Sequence, residues 1–176
     1  MDEIESLGGP LICVERRLAD QWRGVDGLST KPNRSMIGVT TDYEHAGRLA
    51  NRYLSVLRLE RGAALILGDR PLITGVWRNA LNQVVIWRVS YAEPDEDVVD
   101  LLASLTERAF AAPIESLEFS FGSGDVIIFD TSLPGKESDE ESVAFNIRPG
   151  RYLVTTHEVR PSPSSEFLLH RFYCST

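Results

Sequence analysis

The chain from Leu117 onward consists of short apolar runs separated by turn residues. Each run is too short for a helix, and several alternate apolar with polar residues, which is the pattern of a strand with one buried face. Glycine, proline and serine cluster between the runs and predict turns there. Five strands are predicted, over residues 117–121, 126–129, 143–147, 151–157 and 167–173. This part of the chain therefore has to fold mainly as β-sheet.

The first half mixes helices with strands. A strand over residues 11–14 leads into a short helix over 15–22, and a polar loop over 25–41 follows. Asp42 is predicted to cap the next helix, which ends near Arg52 or Tyr53, although Val56 to Leu59 could prolong it. We favour a hairpin at that point. Its predicted strands, and the next two, cover residues 56–59, 63–67, 73–78 and 84–91.

One further helix is predicted from Pro94 to Phe110. Proline suits the first helical position, and the acidic residues after it suit the positive end of the helix dipole. The predicted buried stripe is Val98, Leu101, Leu102, Leu105 and Ala109. Because helices are inserted among hairpin-linked strands, we predict an α+β fold. It is a mainly antiparallel sheet or sandwich with two to three helices, in one domain over residues 1–176.

The net charge of the chain indicates which kinds of partner it can bind. The 176 residues carry a formal net charge of −8, which argues against a nucleic-acid binder and favours a basic protein partner; solubility alone is the other explanation. No apolar run is long enough to span a membrane. The acidic start, Met1 to Glu5, lacks the pattern of a secretory signal. The sequence thus predicts a cytoplasmic protein that binds neither nucleic acid nor membrane.

No catalytic or metal motif is present in the sequence. His157 and His170 could meet across paired strands with Glu158 nearby, but buried histidines with a structural role explain them as well. Ser123 lies in a Gly-Ser-Gly segment that lacks the strand-to-helix setting of a nucleophile elbow, and a hairpin turn accounts for it. We therefore predict no catalytic residue, no metal site and no cofactor.

The three tryptophans are the largest apolar anchors. Trp22, Trp77 and Trp87 are all predicted to pack in the core, with an exposed binding hot spot as the alternative.

Five short segments, taken in order, resemble the Immunity protein 21 family, the predicted antidotes of bacterial polymorphic toxin systems. They contain turn residues and apolar anchors, and they extend over residues 6–173. The segments are Gly8-Gly9-Pro10-Leu11-Ile12, Trp22-Arg23-Gly24, Asp42-Tyr43 with Ala46, Leu65 to Pro71, and Gly150-Arg151-Tyr152 with Leu169-His170-Arg171. The chain departs from the family in a longer polar insert, over residues 28–41, and in Gly47.

The resemblance implies a non-enzymatic protein that neutralises a cognate toxin domain by direct binding, as a monomer or homodimer. A basic, nuclease-like toxin would match the acidic charge. The candidate contacts are Asp69, Arg70, Trp77, Asp139, Glu140 and Glu141. The alternatives are a ligand-binding module or small hydrolase with a pocket of Tyr, Arg and His, and a homodimer that pairs through an exposed strand.

Overall fold

A computed structural model describes residues 2–6, 8–31, 36–68, 72–94 and 96–175. No helix in these ranges is both long and apolar enough to cross a bilayer. The strands are β1 (Glu3–Ile4), β2 (Leu11–Glu15), β3 (Leu54–Leu59), β4 (Gly62–Leu67), β5 (Thr74–Arg78), β6 (Val84–Tyr91), β7 (Glu115–Phe121), β8 (Asp125–Asp130), β9 (Ser142–Asn146), β10 (Gly150–Ser162) and β11 (Ser165–Cys174). The α-helices are α1 (Arg16–Ala19), α2 (Asp42–Leu49) and α3 (Val98–Ala103), and 3-10 helices occupy Gly24–Asp26, Glu107–Phe110 and Ser138–Glu141.

The strands form two antiparallel sheets. A six-stranded sheet has the order β1-β5-β6-β11-β10-β7, and a five-stranded sheet has the order β3-β4-β2-β8-β9. Every pair is antiparallel, as expected for hairpin-linked strands. The predicted α+β fold with a mainly antiparallel sandwich and a few helices is confirmed.

One apolar core lies between the two sheets. The five-stranded sheet contributes Cys13 and Ile128, which are fully buried on the same face as Val143, and the six-stranded sheet contributes residues such as Ile86 and Phe172. Trp22 and Trp87 are each 1% exposed, so the prediction that they belong to the interior is confirmed. Trp22 also donates a hydrogen bond from Nε1 to the carbonyl of Thr131 (3.0 Å).

A second apolar cluster covers the other face of the six-stranded sheet. It joins residues of β6, β10 and β11 to Leu102 and Phe110. The single helix predicted over residues 94–110 is wrong, because this segment divides into α3 and the 3-10 helix Glu107–Phe110. Asp97, rather than a residue beside Pro94, caps α3 by accepting hydrogen bonds from the amides of Val99 and Asp100. At the other end the Ser104 hydroxyl bonds the carbonyl of Leu101.

Helix α2 is also shorter than predicted, and Asp42 is not its cap. The cap is Thr41, whose hydroxyl accepts a hydrogen bond from the amide of Glu44. Asp42 is the first helical residue, and its buried carboxylate accepts hydrogen bonds from the amides of Arg23 and Ser29 at 2.8 and 2.9 Å. Aspartate suits both roles, and sequence alone does not reveal that Arg23 and Ser29 come within reach.

The turn at residues 122–125 joins two sheets and is not the predicted hairpin. β7 pairs with β10 in the six-stranded sheet, whereas β8 pairs with β2 and β9 in the other. The carboxylate of Glu15 accepts the amide of Gly122 (2.8 Å) and holds the corner in place. Burial acts to raise the pKa of Glu15, but hydrogen bonds from Gly122, Ser123 and Arg17 outweigh it and lower the pKa.

Candidate partner-binding surface

A groove of about 350 Å³ runs along one side of the sandwich, where an edge of each sheet comes close to the other. Asp2 and residues 76–78 of β5 line one wall, and residues 143–146 of β9 line the other. We call this the edge groove. It brings together two parts of the sequence that lie nearly seventy residues apart, Arg78 and Asn146, which are joined by a hydrogen bond from the Arg78 guanidinium to the Asn146 carbonyl.

Trp77 is the aromatic residue of this groove. It is half-buried, and part of its side chain packs against the cluster formed by β6, β11 and α3. It is therefore neither a full core residue, as Trp22 and Trp87 are, nor a fully exposed one. A large side chain anchored on one face and accessible on another can act in binding without a large cost in lost rotamer freedom.

The acidic segment, residues 137–141, leads directly into β9. It is a 3-10 helix rather than a free loop, and the buried Ser138 hydroxyl anchors it by donating to the Gly135 carbonyl (2.9 Å). Glu137 and Glu141 are exposed, and Asp139 and Glu140 lie in the same helix. The fold thus places the predicted contact Glu141 immediately before one wall of the edge groove, whose other wall carries Trp77.

Two predicted contacts are not located by the structure. Asp69 and Arg70, in the turn after β4, lie outside the described residues.

A second cleft, of about 470 Å³, opens beside the C-terminal end of β9. It is lined by Arg78, Arg148 and Tyr152 together with residues of β11. The Tyr152 hydroxyl donates to the carbonyl of Arg148 (2.6 Å), and burial, followed by the nearby Cys174, raises the pKa of Tyr152. The cleft combines tyrosine with arginine, as the ligand-binding alternative requires, but no histidine lines it. We call it the arginine cleft.

The histidines do not come together. His157 pairs with Leu169, and His170 pairs with Thr156, one residue along the same two strands. Because successive side chains of a strand point to opposite faces, the two imidazoles lie on opposite sides of the sheet. The hypothesis that they meet with Glu158 is therefore wrong. Within the described ranges, no three His, Cys, Asp or Glu side chains are placed to hold a metal ion.

Each of these histidines has a local partner instead. His170 Nδ1 lies 3.0 Å from the Thr156 hydroxyl, and burial, followed by the charge of Arg88, holds the pKa of His170 well below its usual value. His157 Nε2 lies 2.8 Å from the Thr155 hydroxyl, and burial, followed by Arg171, lowers its pKa. Both imidazoles are therefore neutral at pH 7, and they act as packed side chains.

Residues of the first three motif segments contact one another inside the molecule. A Cβ at Gly9 would lie 2.6 Å from the ring of Tyr43, so the first segment needs glycine for this close approach. The Trp22-Arg23-Gly24 turn is held by Asp42, and Gly24 has a φ of +57°. These motif residues hold turns and crossings of the fold.

Arg171, from the last motif, is the clearest example of a motif residue that holds parts of the fold together. It is 1% exposed and forms a bidentate pair with Glu107 (2.9 and 3.1 Å), while its Nε and Nη2 bond Gln83 Oε1. Its guanidinium also lies 4.6 Å from the ring centre of Phe110 and 4.5 Å from that of Tyr173. Arg171 therefore fastens the 3-10 helix Glu107–Phe110 to the sheet, which explains why that segment does not continue α3.

Comparison with known proteins gives a family. The family model described as Immunity protein 21 matches residues 2–165, which include β1 to β10 and all three α-helices. No curated protein matches the chain, and no solved structure does. Since the family model matches nearly the whole chain, the protein belongs to the Immunity protein 21 family.

Proposed function

We propose that this protein is the cytoplasmic antidote of a cognate bacterial toxin domain, which it neutralises by binding the toxin directly. It acts without catalysis and without a cofactor. The observation that carries the proposal is the membership of nearly the whole chain in an immunity-protein family.

The charge of the chain supports a basic partner. A net charge of −8 raises the rate at which a basic domain, such as a nuclease that follows a phosphate backbone, associates with this protein. The toxin-binding surface that we propose comprises the edge groove and the acidic segment. Trp77 supplies the aromatic anchor, and Asp139, Glu140 and Glu141 supply the charge. Asp69 and Arg70 remain proposed contacts on the basis of the sequence alone.

Co-expression with the toxin domain encoded beside this chain tests the proposal. We expect the wild-type chain to restore growth of cells that produce the toxin, and to co-purify with a catalytically inactive form of it. Lack of rescue together with lack of co-purification would contradict the proposed function.

Two substitutions then test the surface. We expect Trp77→Ala and Glu141→Arg each to weaken toxin binding by roughly tenfold or more, the size of effect seen at interface hot spots. Glu60→Arg is the matched control for charge, because it changes the net charge equally at the exposed β3–β4 turn, on the far edge of the same sheet. Equal affinities for all three variants and the wild type would exclude this surface while leaving neutralisation intact.

The arginine cleft supports a second candidate, a module that binds a small anionic ligand. Arg78 and Arg148 both line it, and they face the hydroxyl-bearing Tyr152. If this candidate is right, citrate or pyrophosphate raises the melting temperature of the wild type but not of Arg148→Ala. An equal response from the two proteins would count against it.

A further inference from the structure

The arginine cleft is basic, although the chain as a whole is acidic. The sequence has 26 Asp and Glu residues against 18 Lys and Arg residues, yet none of the described residues that line this cleft is acidic. Arg78 and Arg148 line it, and among the described residues neither has an ion-pair partner. The cleft therefore carries positive charge that the described part of the chain does not neutralise.

The Arg78 guanidinium is held in place by neutral groups. Its Nη1 donates to the Asn82 carbonyl (3.1 Å), and its Nη2 donates to the Asn146 carbonyl. Because a carbonyl oxygen has no formal charge, these bonds fix the position of the guanidinium without cancelling its charge. Arg78 is thus a cation whose place is set before any partner arrives.

Arg148 lies on the other side of the same tyrosine. The Tyr152 hydroxyl donates to the backbone carbonyl of Arg148 (2.6 Å), which fixes the start of its side chain. Burial raises the pKa of Tyr152, and the charges of Arg148 and Arg78 act to lower it. Both guanidinium groups are therefore within electrostatic range of one hydroxyl, and a single bound anion can interact with both.

The turn between β5 and β6 presents an apolar residue at the rim of this cleft. Leu81 lines the cleft and is 63% exposed. The Asn79 side chain holds the turn, because its Oδ1 accepts the amides of Leu81 (3.0 Å) and Gln83 (2.9 Å). A side chain displayed on a fixed turn loses little backbone freedom on binding, so it adds apolar contact to the charged contacts at low entropic cost.

The arginine cleft continues the edge groove. Arg78 lines both, so a molecule that lies in the edge groove reaches the cleft by extending past this residue. Glu141 is exposed just before β9, and Arg148 is exposed just after it. Seven residues of extended chain span on the order of 20 Å, so this side of the sandwich is acidic at one end and basic at the other. Such a charge pattern fixes the orientation in which a partner docks.

We propose that the arginine cleft receives a carboxylate of the toxin domain, bound between Arg78 and Arg148, and that this contact helps to decide which toxins the chain binds. The occupant belongs to the toxin, so the proposal rests on the proposed function. The toxin then presents a basic region to the acidic segment and an Asp or Glu side chain to the cleft. A guanidinium binds a carboxylate through paired hydrogen bonds, which require the right geometry as well as the right charge. A toxin with lysine at that position would be rejected.

Arg148→Glu tests the contact, with a catalytically inactive toxin domain as the probe and titration calorimetry as the measurement. Arg148 is exposed, so the melting temperature of the variant should equal that of the wild type. We expect the affinity to fall by roughly tenfold or more, because two carboxylates then face each other. Arg58→Glu is the matched control, since Arg58 is exposed on β3 at the far edge of the five-stranded sheet.

The control separates a contact in the cleft from the effect of overall charge. Both variants replace a positive charge by a negative one, so they have the same net charge. If net charge alone mattered, both would bind a basic toxin slightly more tightly than the wild type does. A loss of affinity in Arg148→Glu without a loss in Arg58→Glu therefore supports a carboxylate in the cleft.

A charge swap locates that carboxylate on the toxin. Each exposed Asp and Glu of the toxin domain is changed to Arg in turn, and its binding to the wild type and to Arg148→Glu is measured. One of these changes should restore binding to Arg148→Glu and weaken binding to the wild type. This reciprocal pattern is expected only when the two side chains meet.

The outcomes distinguish this inference from the proposed function. If the wild type does not bind the toxin, both are wrong. If the wild type binds and Arg148→Glu binds as tightly, neutralisation stands and the inference is overturned. It is overturned as well if Arg148→Glu loses affinity but no change of a toxin Asp or Glu restores it. An Arg148-dependent response of the melting temperature to citrate, with unchanged toxin affinity, would instead assign the cleft to a small ligand.

Discussion

The two lateral sides of the sandwich differ in how their sheet edges end. Where β3 meets β7, a side chain bridges the sheets: the carboxylate of Glu115 accepts the amide of Leu54 at 2.8 Å. Nearby, Tyr53 donates to Glu158 (3.2 Å). Where β5 meets β9, the edge groove separates the strands, and β9 carries no charge of its own. The β3–β7 side is thus bridged by a carboxylate, whereas the β5–β9 side, where Arg78 donates to the Asn146 carbonyl, keeps an open groove.

The proposed toxin-binding surface lies on the side with the open groove, whereas the β3–β7 side is bridged by Glu115. Both sides contribute side chains to the common core, and each has a polar bridge between its strands. Glu115 accepts the Leu54 amide on one side, and Arg78 donates to the Asn146 carbonyl on the other. Glu141 and Arg148 are exposed on the β5–β9 side. The following experiments distinguish what buried side chains contribute to stability from what polar groups at the sheet edges contribute.

The largest expected effect is the same on both sides. Phe145→Ala on β9 and Leu57→Ala on β3 each remove a buried anchor, 8% and 2% exposed, and each should lower the free energy of unfolding by about 3 kcal/mol. Urea unfolding of the two variants measures this. A much smaller loss for Phe145→Ala would mean that β9 is held only weakly and that the two sides differ in packing as well.

The next effect depends on pH and involves His170 of β11. His170 pairs with Thr156 of β10, which in turn pairs with Glu115 of β7. The pKa of His170 is lower in the folded state than in the unfolded state, so below about pH 6.5 the unfolded chain binds a proton that the folded chain excludes. Stability should therefore be complete above that pH and fall on acidification by about 1.4 kcal/mol per pH unit for this group.

His170→Gln isolates this contribution. Burial also lowers the pKa of His157 and His45, so the wild type keeps part of its acid sensitivity from them. The difference in slope between wild type and variant, from urea unfolding at pH 7, 6 and 5, reports His170 alone. Identical slopes would mean that His170 takes up a proton without loss of the fold.

The strands of this fold could be predicted from the sequence, because alternation and turn residues are local signals. β6 was expected over residues 84–91 and is found at Val84–Tyr91, and β2, β4, β8 and β11 lie within a few residues of their predicted bounds. The errors occur where a distant side chain decides the local structure. Arg171 reaches Glu107 and helps to divide the segment after Pro94, and Glu15 holds the corner after β7, which resembles a hairpin turn in sequence.

The candidate surface could be predicted only in part. Exposed acidic residues before β9 were visible in the sequence, and so was the size of Trp77. Their joint position depends on strand order, because β5 and β9 belong to different sheets and meet only after the sandwich closes. The sequence also shows that residues 142–146 carry no charge. This is informative only once β9 is known to be an edge strand.

A smaller effect is expected from the bridge that closes the β3–β7 side. Glu115→Ala leaves the Leu54 amide without its acceptor in a partly buried position, and should cost about 1 kcal/mol in urea unfolding. The Leu54 amide should then exchange with solvent faster than in the wild type. Unchanged exchange would show that water replaces the carboxylate without loss and that the side is closed by packing alone.

The smallest effect is expected at Glu118, three residues along β7 from Glu115. Glu118 pairs with Arg151 on the outer surface of β7 and β10, with both side chains more than half exposed. Glu118→Ala should change the free energy of unfolding by less than about 0.5 kcal/mol, because exposed ion pairs gain little in water, and the difference should vanish in 1 M salt. A large loss of stability in Glu118→Ala would mean that surface charge also holds the closed side together, and the division between a stabilised side and a binding side would then no longer stand.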